Sequence, residues 1–269
     1  MEAPIDSMAD FRKRCDALGR TDRWIFRGHA LAKWDLQTTL ERALFRLGSA
    51  ARSRPMARDV EEILQREFCR HFHRYSADVP RNEDQLEWLS IMQHHGAPTR
   101  LSDWTFSEYI ALFFAINDAQ VGSTCAIWAV NQTKCWQRFK SKLPKDIQAL
   151  LDEDDKHPRA IDWMLDHDET LIAPLNPLRL STRLSVQQGT FLVPLNMKLS
   201  FQDNFDADIG PHRALWRKIK IRCTRKFLYS AFTELRRVNI TDLSLFPGID
   251  GLARSMLLSV ILKHLQPQK

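Results

Sequence analysis

Apolar residues recur along this chain in two rhythms, and each rhythm predicts an element. Met8, Phe11, Cys15 and Leu18 keep helical spacing behind Asp6 and Ser7, either of which can cap a helix. Val60, Leu64, Phe68, Phe72 and Tyr75 form a longer stripe opposite Glu61, Glu62, Arg66 and Arg70, the pattern of an amphipathic helix. Further helices are predicted over 39–47, over 83–95 with Gly96 as its stop, and over 108–117 behind a Ser107 cap. Two more are predicted over 224–236 and 250–265. The run Tyr109 to Ile116 is apolar on most faces and must be buried. Strands are predicted at 24–27, at 124–130 as an interior strand, and at 170–173, 190–194 and 218–222.

Two stretches lack these rhythms. Gly48 to Met56 reads as a polar connection. Lys134 to Asp168 is charge-dense, with Asp152-Glu153-Asp154-Asp155 near its middle. It reads as a mostly helical surface insertion bounded at about 132 and 168, the acidic run being a solvated turn. Strands and helices do not alternate regularly, which excludes a doubly wound sheet. The expected class is α+β: one domain over 1–269, with a small mixed or antiparallel sheet flanked by helices.

Composition narrows the classes. With 269 residues, 44% hydrophobic and 27% charged, the chain reads as a globular protein able to bury a sizeable core. It opens without a basic segment or apolar signal core, and its longest apolar run is too short to span a bilayer. A cytoplasmic protein without membrane contact is the expectation. Five scattered cysteines contain no Cys-x-x-Cys pair, which argues against a zinc ribbon or disulfide framework. No metal is expected. A formal charge of +6 favours anionic partners: phosphates, nucleotides or nucleic acid.

The densest polar chemistry is Gln93-His94-His95-Gly96-Ala97-Pro98-Thr99-Arg100-Leu101-Ser102-Asp103-Trp104-Thr105, set against the apolar run that follows. Polar side chains held on a rigid apolar helix suit a binding site. The structural alternative has Gly96 and Pro98 stopping one helix while Arg100 and Asp103 pair at the start of the next. Trp104 suits either stacking on a planar ligand or core packing. Arg27 is a cation within a strand, followed by Gly28, whose bare backbone permits close approach. Its guanidinium can hold a phosphate through two parallel hydrogen bonds. Lys218, Lys220 and Arg222 alternate with Ile219 and Ile221, so three cations share one strand face. They suit nucleic-acid contact, or equally an edge strand kept soluble by charge.

Trp24-Ile25-Phe26-Arg27-Gly28-His29, Trp34-Asp35-Leu36-Gln37-Thr38-Thr39-Leu40-Glu41-Arg42 and the Gln93 to Ala115 segment together resemble the FRG domain. The likeness extends to Arg183-Leu184-Ser185-Val186-Gln187-Gln188-Gly189-Thr190-Phe191 and to Leu245-Phe246-Pro247-Gly248-Ile249-Asp250-Gly251-Leu252-Ala253. His29, Thr38, His95, Ser102 and Glu108 depart from the family pattern, whereas Arg27, Gly28, Gln93, Arg100, Asp103 and Trp104 keep it.

The order of these blocks is also similar to that of toxin-type ADP-ribosyltransferases. That resemblance implies NAD as the ligand, its phosphates held by Arg27, and a nicotinamide pocket shaped by Ser102 and Thr105; by their own chemistry Gly28, Arg100 and Trp104 suit such a ligand as a point of close approach, a phosphate partner and a stacking ring. It implies catalytic roles for Arg27, Asp103 and Gln188 in transferring or hydrolysing ADP-ribose, chemistry that suits a bacterial toxin or phage-defence effector. Gln187 and Gln188 stand where that resemblance implies a glutamate, which leaves Asp103 to supply the negative charge. The alternative is a non-catalytic nucleic-acid-binding module. If one site exists, Arg27, Asp103 and Gln188 should converge on a cleft walled by Trp104.

Overall fold

The computed structural model describes residues 3–19, 21–46 and 56–265. Six strands form one antiparallel sheet: β1 (Trp24–His29), β2 (Ser102–Thr105), β3 (Thr124–Asn131), β4 (Ile172–Leu175), β5 (Gly189–Pro194) and β6 (Trp216–Arg222). Their order across the sheet is β4-β5-β2-β1-β3-β6. A single parallel bridge, Ile5 to Ile221, extends it beyond β6. The class is α+β.

The helices that flank the sheet begin with α1 (Met8–Asp16), α2 (Thr39–Arg46), α3 (Met56–Phe72), α4 (Gln85–His94) and α5 (Glu108–Ile116). They continue with α6 (Gln132–Ser141), α7 (Lys145–Glu153), α8 (Pro158–Asp166), α9 (Thr182–Val186) and α10 (Phe201–Asp208). The last are α11 (Arg225–Arg237), α12 (Asp242–Leu245) and α13 (Ile249–Leu265). Their ends follow local rules. The Ser7 hydroxyl accepts from the Asp10 amide, Ser107 from Ile110 and Thr224 from Phe227, each satisfying a helix amide that otherwise has no partner. Gly96, just past α4, sits at φ +83°, a conformation that glycine adopts without strain. The polar connection expected at 48–56 lies outside the described residues, apart from Met56, which opens α3.

One core lies between α5, α1, α11 and the face of the sheet bearing Phe26, Ile127 and Ile221. In α5, Ile110, Ala111, Leu112, Phe113, Ala115 and Ile116 are all buried, as the unbroken apolar run requires. The helix passes so near β1 that a Cβ on Gly28 would lie 2.1 Å from the Ala111 carbonyl oxygen and 2.6 Å from the Ala115 nitrogen. Only glycine fits there, and the backbone approaching it is this protein's own helix. A second core joins α4, α8 and α9 to β4 and β5 through Leu89, Met92, Met164, Leu184, Phe191 and Val193. A third covers the opposite sheet face, where α10 sets Phe201 and Phe205 against Ile25, Trp104 and Trp128.

The segment expected as a surface insertion is helical, but it does not lie wholly on the surface. Phe139, Leu143, Ile147, Leu151, Ile161 and Met164 are buried in the second core, so α6 to α8 contribute apolar mass to the sheet's far half. Their polar residues mark only the outer face.

The middle of the sheet is its weakest joint. β1 pairs with β3 from Trp24↔Asn131 to His29↔Ala126, and β2 pairs with β5 along its whole length. β1 and β2 meet only at Phe26↔Thr105. Beyond that pair the two halves of the sheet separate.

Candidate functional site

A cavity of about 820 Å³ opens where β1 and β2 part, within the size range of small-molecule sites. Its walls come from β1 (Arg27, Gly28, His29), the following loop (Lys33, Trp34, Asp35) and α2 (Arg42). β2 adds Asp103, Trp104 and Thr105; α5 adds Ala111 and Phe114; the α9 region adds Arg183, Leu184 and Gln187.

Arg27 spans the gap between the strands. Its Nη1 donates to the Asp103 carbonyl oxygen at 2.5 Å, and its Nε is buried without a hydrogen-bond partner. Among the described residues no carboxylate lies within ion-pair distance of it. Burial holds its pKa below the usual value, while the charge of Asp103 opposes that shift and the charge of Arg42 adds to it. Arg42 is shifted the same way for the same first reason, and its Nη1 donates to the Gln37 carbonyl oxygen at 3.1 Å. Both stay protonated at any physiological pH. Two partly desolvated guanidinium groups therefore share one cavity.

Asp103 is aimed by a hub rather than by a cation. Gln93 Nε2 donates to Asp103 Oδ2 at 2.9 Å and to the Leu101 carbonyl oxygen at 3.3 Å. Gln93 Oε1 accepts from the Thr39 and Thr99 hydroxyls at 2.9 and 2.8 Å. Every polar atom of the Gln93 amide is engaged, so its conformation is fixed, and it holds one oxygen of the exposed Asp103 carboxylate. His29, next to Arg27, is buried with its Nδ1 unpartnered. Burial first, then the charges of Arg27 and Lys218, push its pKa down to about 3, so it stands neutral in the wall. Trp34 meets it edge to face at 6.3 Å and is half exposed at the cavity mouth.

The residues singled out in the sequence divide. Arg27, Gly28, Asp103, Trp104 and Thr105 line the cavity. Trp104 is both wall and core: it is buried beside Trp128, and its Nε1 donates to the Ser102 hydroxyl at 3.2 Å. The Thr105 hydroxyl is already used, donating to the Gln187 carbonyl oxygen at 2.7 Å.

Three residues fall elsewhere. Ser102 is buried beneath Trp104 and does not line the cavity. Gln188 sits at φ +47°, its carbonyl oxygen accepting from the Phe106 amide at 2.9 Å, and Gln187 takes the place on the wall. Arg100 does not pair with Asp103. Its Nε donates to Glu61 Oε2 at 2.5 Å, its amide to Glu61 Oε1 at 2.7 Å and its Nη1 to the Leu165 carbonyl oxygen at 2.6 Å. A buried guanidinium needs a buried carboxylate, and α3 supplies one.

His29, Trp34, Arg42 and Arg183 were not singled out as site residues. The order Arg27-Gly28-His29 on β1 could have pointed to His29, since residues 27 and 29 of a strand share a face. Arg183 opens one of the family-like blocks, but its place on the wall depends on how α9 meets Phe246, which its guanidinium overlies at 5.2 Å.

Lys218, Lys220 and Arg222 lie outside the cavity on β6. Lys218 stands over the Trp128 ring at 4.1 Å. Among the described residues no group of three His, Cys, Asp or Glu side chains is placed to hold a metal, and no helix is long and apolar enough to cross a membrane. His94 and His95 stack edge to face at 4.8 Å.

Residues 22–123 match the family model of the FRG domain. The chain carries an FRG domain. That stretch contains β1, α2, α3, α4, β2 and α5, and with them Arg27, Arg42, Gln93 and Asp103. The FRG domain thus supplies both guanidinium groups and the oriented carboxylate, while Arg183, Leu184 and Gln187 close the cavity from beyond its end. The blocks at 183–191 and 245–253 lie outside the matched residues. They meet each other: Gln187 Nε2 donates to the Leu245 carbonyl oxygen at 3.0 Å, and Phe246 packs edge to face with Phe114 of the cavity wall at 6.1 Å. No curated protein and no solved structure matches the chain.

Proposed function

We propose that the FRG cleft binds a dinucleotide of the NAD type and breaks its bond to nicotinamide, transferring or hydrolysing ADP-ribose. The observation that carries this reading is Arg27: a guanidinium partly desolvated in a cavity wall, bonded to one carbonyl oxygen, with an unpartnered Nε and, among the described residues, no carboxylate within ion-pair distance. Buried cations are ordinarily paired, and one left unpaired beside a cavity calls for an anionic ligand. Arg42 stands close enough to influence its charge, so the two together suit a diphosphate. Trp34 and Phe114 offer rings for planar groups at the mouth and on the inner wall.

Asp35, Asp103 and Asp118 line the cavity, and Asp103 is the one oriented by Gln93. Loss of nicotinamide leaves positive charge developing on the ribose carbon, and a fixed anion opposite that carbon lowers the barrier. Gln93 holds the carboxylate in place without neutralising it. Gln187 cannot take this role, since an amide is uncharged and its nitrogen is engaged by Leu245. Such chemistry suits a toxin or a phage-defence effector.

The deciding measurement is nicotinamide released from NAD by the purified chain, beside the Asp103→Asn variant. The substitution keeps the size of the side chain and removes its charge. Release should slow by about a hundredfold or more with little loss of NAD affinity, because the interaction strengthens as charge develops. Absence of both NAD binding and nicotinamide release in the unaltered chain would end this reading.

A further inference from the structure

We infer that the sheet face leading out of the cleft is a track for single-stranded nucleic acid, the acceptor for the proposed transfer. The inference rests on the reading of the cleft given above and adds the identity of the second reactant.

Strand register places the cations on one surface. Arg27 pairs with Trp128, and Trp128 with Lys218; His29 pairs with Ala126, and Ala126 with Lys220. Cross-strand partners project from the same face, so Lys218 and Lys220 share the face of Arg27 and His29. Arg222, opposite Thr124, continues that row to the end of β6. Alternate residues on a strand stand roughly 7 Å apart. That interval is comparable to the phosphate spacing of an extended single strand. β3 alone separates the row from the cavity wall on β1, and the charge of Lys218 is still felt at His29.

Edge protection does not explain these residues well. An exposed edge needs lysines where its backbone is open to another chain. Here the Ile5 amide donates to the Lys220 carbonyl oxygen at 2.9 Å, and the Arg222 amide donates to the Ile5 carbonyl oxygen at 2.8 Å. The edge is already occupied where two of the three cations stand. Lys218 is half-buried, and its pKa is lowered first by burial and next by Lys220, with Asp35 and Asp206 opposing. A polyanion laid along the row would relieve that repulsion. Half-exposed Trp34 at the mouth offers a surface for base stacking, the usual companion of a basic groove in single-strand binding.

The transfer balances without another reactant. Nicotinamide leaves with the bonding electron pair, a nucleophilic nitrogen or oxygen of the strand bonds the ribose carbon, and its proton passes to solvent.

The test is fluorescence polarisation with labelled oligothymidylate and oligouridylate across a salt series, beside NAD binding by calorimetry on the same samples. The unaltered chain should bind the oligonucleotides, weakening steeply as salt rises. The triple variant K218S/K220S/R222S should lose about two units of the logarithmic salt slope while keeping its NAD affinity and melting temperature. No binding at low salt, an unchanged slope, or equal binding of polyglutamate would overturn the inference. Oligonucleotide binding without NAD binding would support the track while refuting the proposed reading of the cleft.

Discussion

Arg27 and Arg100 belong to the same FRG domain, and their surroundings differ in a way that separates architecture from site. Arg100 is buried with Glu61, and three of its donors, including its backbone amide, are taken at 2.5–2.7 Å. Arg27 is held by one carbonyl oxygen, has an unpartnered Nε and lines an open cavity. The first arginine is complete within the fold. The second has donor capacity left over beside a cavity. A guanidinium alone therefore says little about function, and the number of its donors already satisfied says a good deal.

The sharpest way to break this contrast is to unpair Arg100. Glu61→Gln removes the buried negative charge and leaves the cation uncompensated, which should cost about 3–5 kcal/mol of stability. Urea unfolding followed by tryptophan fluorescence would read it. Replacing both residues, Glu61→Leu with Arg100→Met, should recover much of that loss, since a matched apolar pair avoids the desolvation. A loss below about 1 kcal/mol in the single variant would mean that Arg100 is not locked as described.

Arg27→Ala should do the opposite: affinity for NAD falls about ten- to a hundredfold, roughly 1.5–3 kcal/mol, while the melting temperature holds or rises. Arg27→Lys keeps charge without the planar fork and should restore only part of the affinity. Calorimetric titration measures both. A variant that melts early and binds normally would make Arg27 a structural residue like Arg100.

His29 gives a comparison in pH. Its pKa is about 6.5 when free and about 3 in the fold, so the fold favours the neutral ring. Its contribution to stability is full above pH 6.5 and is lost as pH falls toward 3, because below 6.5 the unfolded chain binds a proton that the folded chain refuses. Between pH 6.5 and 5 that amounts to roughly 2 kcal/mol. His29→Gln should flatten this part of the stability profile, and an unchanged profile would place the ring in water rather than in the wall.

Much of this was legible in the chain. Helical and strand rhythms located β1, β3, β4, β5, β6 and the long helices because each buries one continuous apolar face. β2, α9, α10 and α12 carry no such rhythm: they are only four to eight residues long and read locally as polar connections. β2 is a strand because Trp104 and Phe191 need opposite faces of a sheet, a demand set by residues far away in sequence. Arg27, Asp103 and Trp104 were readable as site residues, since a strand-borne cation beside glycine and a polar run before an apolar helix are local patterns. Arg100 was not separable from them, because its partner lies on α3 and nothing in the spacing of Glu61 and Arg100 announces the pair. Gly28 was readable as a point of close approach, but the approaching backbone belongs to α5.

The smallest expected effect sharpens the comparison most finely, because it concerns an arginine between the two extremes. Arg42 is half-satisfied: one of its terminal nitrogens donates to Gln37, and its charge is felt at Arg27 across the cavity. Its donor to a bound anion is partly engaged already, and it is less deeply set than Arg27. Arg42→Ala should therefore weaken NAD binding by about 1 kcal/mol, near fivefold, with little change in melting. If both arginines grip the same diphosphate, the losses from Arg27→Ala and Arg42→Ala should not add, and the double variant should fall short of their sum by at least about 0.5 kcal/mol. Additive losses would mean that the two guanidinium groups hold separate parts of the ligand. The cleft would then be read as two anion sites that share a wall, with Asp103 between them.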